Sequence, residues 1–329
     1  MNIPESNQWP PTCSVAFLHQ RAALYQTVRT FFIEKNVLEV ETPILSNASS
    51  CDVNLDIFST VTGGNITKAR RLYMQTSPEF AMKRLLAAGA GSIYQIAKSF
   101  RQAESGRFHN PEFSLLEWYR VGFDLEELME EVLSLLIRCF GRKIPLKILT
   151  YQDLFQQITT INPHATNQQE LINYAALQGN SEAATICGDS LSNALDYVFS
   201  QYIQPQLTKD QLYFVRDYPV CMAMLAKLDD KKTVVTAKRF EVYFNNLELA
   251  NGYEELTDAK QQEQRFQQDI IEREEQKLET VPIDKHLIGA LESGLPDCSG
   301  VALGLDRLLM LMEGARSIDE VLAFPIGRA

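Results

Sequence analysis

IYQIAKSFRQAESGRFHNPEFSLLEWYR, residues 93–120, is the stretch on which the fold turns. IYQIAKSFR (93–101) reads as a strand, residues 102–112 as a polar loop, and FSLLEWYR (113–120) as the returning strand. The whole is a long hairpin. Strand side chains alternate faces, so Phe113, Leu115, Glu117 and Tyr119 share one face while Ser114, Leu116, Trp118 and Arg120 share the other. One face thus carries an aromatic ring, a carboxylate and a phenol.

Outward from this hairpin, RFEVYFNNLELANGYEEL (239–256) reads as a second one, with Asn245-Asn246 as a two-residue turn. In that register Glu248 sits opposite Tyr243, and Glu241 lies diagonally across on the same face, near enough for two carboxylates to share a cation. DCSGVALGLDRLLMLMEG (297–314) reads as a Gly-containing strand running into a helix, with Arg307 near its start. Ser14 to Lys35 has helical spacing at Leu18, Tyr25, Val28 and Phe32, with Asn36 placed to end it. A second helix is expected from Ser77 as N-cap with Pro78 at its first position and Glu79 in its first turn, closing at Gly89 or Gly91. A third starts at Asp124 with Glu127 three residues on, a capping-box pattern, and ends at Gly141. The expected organisation is a single domain over 1–329 with a helical insertion at about 143–235.

Composition narrows the function classes. The chain has 329 residues, 45% hydrophobic and 22% charged, the balance of a globular protein. No run approaches the apolar length that spans a bilayer, and the polar start MNIPESNQWPPT lacks the regions of a signal peptide, so a cytoplasmic protein is expected. Six cysteines without a CxxC pair read as reduced thiols. A net charge of −11 disfavours broad contact with a polyanion.

Three segments together resemble the signature motifs of class II aminoacyl-tRNA synthetases, and most of all their lysyl branch. VLEVETPIL (37–45, with Pro43) resembles motif 1, FRQAESGRFHNPEF (100–113) motif 2 and GVALGLDRL (300–308) motif 3. TSPE (76–79), EWY (117–119) and ELANGYEEL (248–256) match as well, so the resemblance covers about residues 14–329. It implies an α+β fold, an antiparallel sheet of six or seven strands flanked by helices, with the site on the sheet face. It also implies a homodimer through motif 1.

The same resemblance gives the residues roles. Arg101 falls on the α-phosphate of ATP and Arg307 on the γ-phosphate, as planar donor forks suited to phosphate oxygens. Phe113 stacks on adenine. His109, Asn110, Leu249 and Gly304 complete the nucleotide site, and Glu241 and Glu248 hold Mg²⁺. Ser77, Pro78, Glu79, Glu117, Tyr119, Asn251, Tyr253, Glu255 and Ala302 line the amino-acid pocket, where several acidic groups call for an ammonium-bearing substrate. Alone, most of these would be read as surface, cap or core residues. No protein nucleophile is needed, because positioning and charge stabilisation suffice for adenylate formation.

A lysyl-tRNA synthetase carries an N-terminal anticodon-binding barrel, and none is expected here, which disfavours tRNA as acceptor. Length and GVALGLDR resemble the truncated paralogue family, the elongation factor P (R)-β-lysine ligases. That resemblance implies transfer of lysine or (R)-β-lysine to a lysine ε-amine of elongation factor P. Ala302 stands where lysyl-tRNA synthetases have Gly, reshaping the pocket near the substrate's amino end. Motif 2 usually has Glu two residues after its Arg; here Ala103 stands there and Glu104 follows, leaving adenine recognition to Glu104 or to backbone groups. The alternatives are a minimal lysyl-tRNA synthetase and a catalytically inactive synthetase-like regulator. Both arginines and both metal-ligand glutamates are present, which argues against the regulator.

Overall fold

The computed structural model describes residues 9–64 and 67–329. Along the chain it has α1 (Val15–Glu34), β1 (Leu38–Glu39), β2 (Leu45–Ser46), β3 (Ser59–Gly64), β4 (Thr67–Met74), α2 (Glu79–Ala87), β5 (Ile93–Phe100), β6 (Glu112–Val121) and α3 (Leu125–Phe140). There follow β7 (Leu146–Thr150), α4 (Tyr151–Thr159), α5 (Gln168–Leu177), α6 (Ala183–Cys187), α7 (Leu191–Val198), β8 (Leu212–Tyr218) and β9 (Leu228–Asp229). The chain closes with β10 (Thr236–Phe244), β11 (Leu247–Glu254), α8 (Ala259–Glu275), α9 (Lys285–Gly294), β12 (Cys298–Gly304) and α10 (Leu305–Glu313). The polar start before Trp9 lies outside the described residues.

Local chemistry accounts for the boundaries. Ser14 caps α1 by accepting from the Phe17 amide, and Asn36 adopts φ 54°, the left-handed conformation that ends it. The expected capping box of α3 forms both ways: Asp124 Oδ1 accepts from the Glu127 amide at 2.8 Å, and Glu127 Oε2 accepts from the Asp124 amide at 2.9 Å. α2 begins one residue later than expected. Pro78 (φ −77°, ψ 2°) occupies the cap, and Ser77 Oγ accepts from the Glu79 amide at 3.3 Å, a local turn that takes the place of the Ser N-cap. The segment 143–235 holds α4–α7 and also strands β7, β8 and β9, because its hydrophobic stretches at 146–150 and 212–218 join a sheet.

The chain divides into two compact units: residues 1–123, 132–141 and 257–329, and residues 124–131 and 142–256. In the first, β5, β6 and β12 pair antiparallel in that order, and the short β1 pairs parallel with β5. β2, β4 and β3 form a separate three-stranded sheet. The rear of β5 and β6 is apolar. Phe32 of α1 stacks on Tyr94 at 4.4 Å and meets Trp118 edge-on at 5.4 Å, and all three rings are buried.

In the second unit, β11, β10 and β8 pair antiparallel, β7 lies parallel to β8, and β9 pairs with β10. Its core is aromatic: Tyr151 stacks on Phe155 and Phe199 at 5.5 and 5.2 Å and packs on Tyr218 at 4.8 Å. α4 supplies Tyr151 and Phe155, the turn after α7 supplies Phe199, and β8 supplies Tyr218. The strand pairing is thus antiparallel apart from the two parallel edge pairings, β1–β5 and β7–β8, and the strands are flanked by helices in a mixed α/β architecture. Among the described residues, no helix is long and apolar enough to cross a membrane.

Candidate active site

The first unit brings together Arg101, His109, Asn110, Phe113 and Arg307. Arg101 follows β5 directly, and its guanidinium lies over the Phe113 ring at 5.1 Å. Nη1 donates to Glu104 Oε1 at 2.9 Å, whereas the buried Nε has no hydrogen-bond partner among the described residues. A buried guanidinium donor left open is costly unless an acceptor arrives, so the site is chemically prepared for an anion. Glu104 is therefore an arginine partner, which the sequence left open.

Arg307 sits in the first turn of α10, with Nη2 2.6 Å from His109 Nε2 and Nε 3.4 Å from the Phe108 carbonyl. Partial desolvation and the Arg307 charge lower the His109 pKa from its ordinary 6.5, with Glu104 opposing and Arg101 adding to the effect. The imidazole is thus held neutral, able to accept from arginine. Asn110 is a buried strut: Oδ1 accepts from the Ile326 amide at 2.9 Å and Nδ2 donates to the Glu112 carbonyl at 2.6 Å. It fixes the loop leading to β6.

On β6 the expected face is formed. Tyr119 donates its hydroxyl proton to Glu117 Oε1 at 2.7 Å, and both residues are 2% exposed. The register sets Gln95 and Ala302 directly beside Glu117, and Gly300 beside Tyr119, so Ala302 abuts the buried carboxylate. Gly304 ends β12 and stands at the cap of α10. Glu79 Oε1 accepts from Lys83 Nζ at 2.6 Å, and Lys83 is 1% exposed. This buried cation was missed; its spacing of four residues from Glu79 on a helix was the available signal.

The second unit brings together Glu241, Asn251 and Tyr253 around a residue not anticipated, Arg239. Tyr243 lies opposite Glu248, as the two-residue turn at Asn245-Asn246 (φ 50° and 64°) dictates. Between Val242 and Tyr243 the register shifts, leaving Leu249 unpaired as a bulge and setting Glu241 opposite Asn251 and Arg239 opposite Tyr253. Strict alternation would put Glu248 and Asn251 on opposite faces; the bulge puts them on one.

Arg239 is buried. It donates to Glu241, to Asn251 Oδ1 at 3.2 Å and to the Met222 carbonyl at 2.8 Å, and its guanidinium lies over Tyr218 at 4.5 Å. Tyr243 donates to the other Glu241 oxygen. Burial is the largest single influence on the Arg239 pKa and lowers it, but Glu241 together with Tyr253, Tyr218 and Tyr243 raises it further than burial lowers it, so the cation is permanent. The alternation R-F-E-V-Y was the signal for it, since residues 239, 241 and 243 share one strand face. Tyr253 donates to Met224 Sδ at 3.3 Å, and Glu255 is 1% exposed, bridged at the backbone to Ala226.

Among the described residues no cluster of three or more His, Cys, Asp or Glu is placed to hold a metal ion. Glu241 and Glu248 share one face of the β10–β11 hairpin, and both Glu241 oxygens are engaged, one by Arg239 and the other by Tyr243.

The family description of class II tRNA synthetases (D, K and N) matches residues 13–328. The chain is 47% identical over 328 residues to the elongation factor P–(R)-β-lysine ligase of Vibrio cholerae serotype O1, covering 98% of this chain and 99% of that one. It is 45% identical over 326 residues to the ligase of the same name from Pseudoalteromonas translucida, with 98% and 99% covered. The same-named ligase of Salmonella arizonae is 44% identical over 328 residues, with 99% and 100% covered. With its motif 2 hairpin, its β12–α10 junction and these full-length similarities, the chain belongs to the class II tRNA synthetase family, among relatives named elongation factor P–(R)-β-lysine ligase.

Proposed function

We propose that this chain is an ATP-dependent ligase. It activates (R)-β-lysine, and α-lysine more weakly, as an aminoacyl-adenylate and transfers the aminoacyl group to a lysine ε-amine of elongation factor P. The carrying observation is the buried, open Nε of Arg101 over Phe113, a donor awaiting an anion beside an aromatic platform. The names of the relatives supply the acceptor and amino acid.

In the first step the substrate carboxylate oxygen attacks the α-phosphorus, the bond to the bridging oxygen breaks, and pyrophosphate leaves. Arg101 stabilises charge on the α-phosphate, Arg307 orients the γ-phosphate, and Phe113 holds the adenine. His109, Asn110, Leu249 and Gly304 shape the nucleotide site. Glu241 and Glu248 would hold Mg²⁺, Glu241 by exchanging one of its present partners, and the cation would supply neutralisation of phosphate charge. Glu117, Glu79 and Glu255 present carboxylates to the substrate's ammonium groups. Ser77, Pro78, Tyr119, Asn251 and Tyr253 shape the pocket, and Ala302 beside Glu117 narrows it. In the second step the acceptor amine attacks the carbonyl carbon, AMP leaves with the bonding electrons, and the amine loses a proton. The enzyme works as a cytoplasmic homodimer with a protein rather than tRNA as acceptor.

The test is ATP turnover and mass transfer with (R)-β-lysine or α-lysine, and elongation factor P or tRNA. A β-lysine-dependent mass gain on the protein, lost in Arg307→Ala, is expected. Charging of tRNA alone would make this a minimal synthetase, and no turnover with any combination would make it a regulator. Sedimentation at micromolar concentration showing only monomer would overturn the dimer.

A further inference from the structure

Arg21 and Asp306 lie 285 positions apart and meet inside the first unit. Asp306 is 2% exposed and uses both oxygens: Oδ1 accepts from Arg21 Nη1 at 2.6 Å, and Oδ2 accepts from the Ser114 amide at 2.7 Å. Arg21 is itself tied down, donating from Nη2 to the Val321 carbonyl at 2.8 Å. The β6–β12 register ends at Leu115 opposite Gly304, so the Ser114 amide lies one residue beyond that ladder. The carboxylate of Asp306 takes over where the strand partner stops.

The place of this junction gives it meaning. Ser114 directly follows Phe113, and Asp306 directly precedes Arg307. One carboxylate therefore couples the start of β6, which carries the aromatic platform, to the first turn of α10, which carries the arginine. Its charge suits a helix N-terminus, and charge-assisted bonds are short and directional. Arg21 on α1 locks the carboxylate in one orientation from behind.

We infer that the Arg21–Asp306 pair is a positioning device for the nucleotide site, setting the separation between the adenine-stacking Phe113 and the phosphate-binding Arg307. It rests on the reading of those two residues as ATP contacts. Neither Arg21 nor Asp306 touches the substrate; they act through their neighbours. A small displacement between two binding groups is enough to cost one to two orders of magnitude in nucleotide use.

The experiment compares Arg21→Met, Arg21→Lys and Asp306→Asn in the full chain, measuring KM for ATP, kcat and Tm. Arg21→Met and Asp306→Asn should raise KM for ATP about tenfold with kcat within about threefold, and Arg21→Lys should restore most of the loss. In an Arg307→Ala background the further effect of Arg21→Met should shrink to less than about twofold, because the group it positions is gone. A fall in Tm with unchanged KM, or the same KM penalty with and without Arg307, would make the pair merely structural and overturn the inference. Equilibrium dialysis with a non-hydrolysable ATP analogue repeats the comparison without turnover. Failure of the ligase reading with intact nucleotide binding is thereby separated from failure of the positioning role.

Discussion

Replacing Arg239 with Met should destabilise the second unit more than any single surface change, and the size of the effect follows from its contacts. Arg239 is 7% exposed and Glu241 8%, so the pair is hidden from solvent. Removing the cation strands the Glu241 carboxylate, leaving only the Tyr243 donor, and strips the Met222 carbonyl and Asn251 Oδ1 of a donor. Breaking a buried ion pair from one side costs about 3–5 kcal/mol, against a total stability of about 5–15 kcal/mol. In Arg239→Met/Glu241→Gln the uncompensated charge is gone, and the residual cost falls to about 1–3 kcal/mol for unmade hydrogen bonds. The double variant should therefore be more stable than Arg239→Met by about 2 kcal/mol, a sign reversal that additive effects cannot produce. Urea denaturation followed by circular dichroism at pH 7 measures both. A single-variant loss under about 1 kcal/mol, or a double variant no more stable than Arg239→Met, would refute the argument that charge burial dominates here.

Three further outcomes are expected. Burial, then the Asp52 and Glu272 carboxylates, push the Asp269 carboxyl up to about 7 against Arg265 and Arg273. Its folded pKa is raised, so its contribution to stability is full below the unfolded value of 3.8 and lost as pH rises through about 7. Asp269→Asn should accordingly melt above wild type by about 2–4 °C more at pH 8.5 than at pH 5, with the gap closing as pH falls toward 3.8; equal shifts at pH 5 and pH 8.5 would exclude titration of Asp269 as the cause. On the proposed reading of Arg101 as a phosphate contact, Glu104 competes with phosphate for it, and both side chains are about one-third exposed, so Glu104→Gln should lower KM for ATP by up to about fivefold, the worth of a partly exposed pair. An increase would assign Glu104 to nucleotide recognition instead. Because the His109 pKa is depressed, its stabilising contribution is present above 6.5 and lost as pH falls through the lower folded value. An NMR titration midpoint above 6.5 would contradict the contact with Arg307.

Much of the frame was legible because it depends on short-range chemistry. The helix end at Asn36, the capping box of Asp124 and Glu127 and the turn at Asn245-Asn246 each rest on local chemistry within a few residues, and each forms as expected. The alternation along β6 likewise put Phe113, Glu117 and Tyr119 on one face, since pleating alone dictates it. Helix α2 starts a residue late because Ser77 closes a local turn onto Glu79 instead of capping in the usual frame. Strands β7 and β8 were hidden inside a segment read as helical. Strand pairing there is decided by partners far along the chain, and the β7–β8 pairing joins residues 146–150 to 212–216.

By itself the sequence determined the order of the three motifs, the helix ends, the hairpins and the chemical types gathered for nucleotide and ammonium binding. The helix ends and hairpins follow from periodicity and turn chemistry, whereas the nucleotide and ammonium roles are what the resemblance to class II synthetases implies. Only the tertiary structure decided which carboxylates stay open. Arg239 and Tyr243 engage Glu241, Lys83 engages Glu79 and Glu104 engages Arg101. Only the tertiary structure also introduced the bulge at Leu249 that carries Asn251 onto the face of Glu248, and the Arg21–Asp306 contact across 285 positions. The physical reason is common to them. A buried charge takes whichever partner packing brings within hydrogen-bond reach, and that distance is set by the folded backbone, not by separation along the chain.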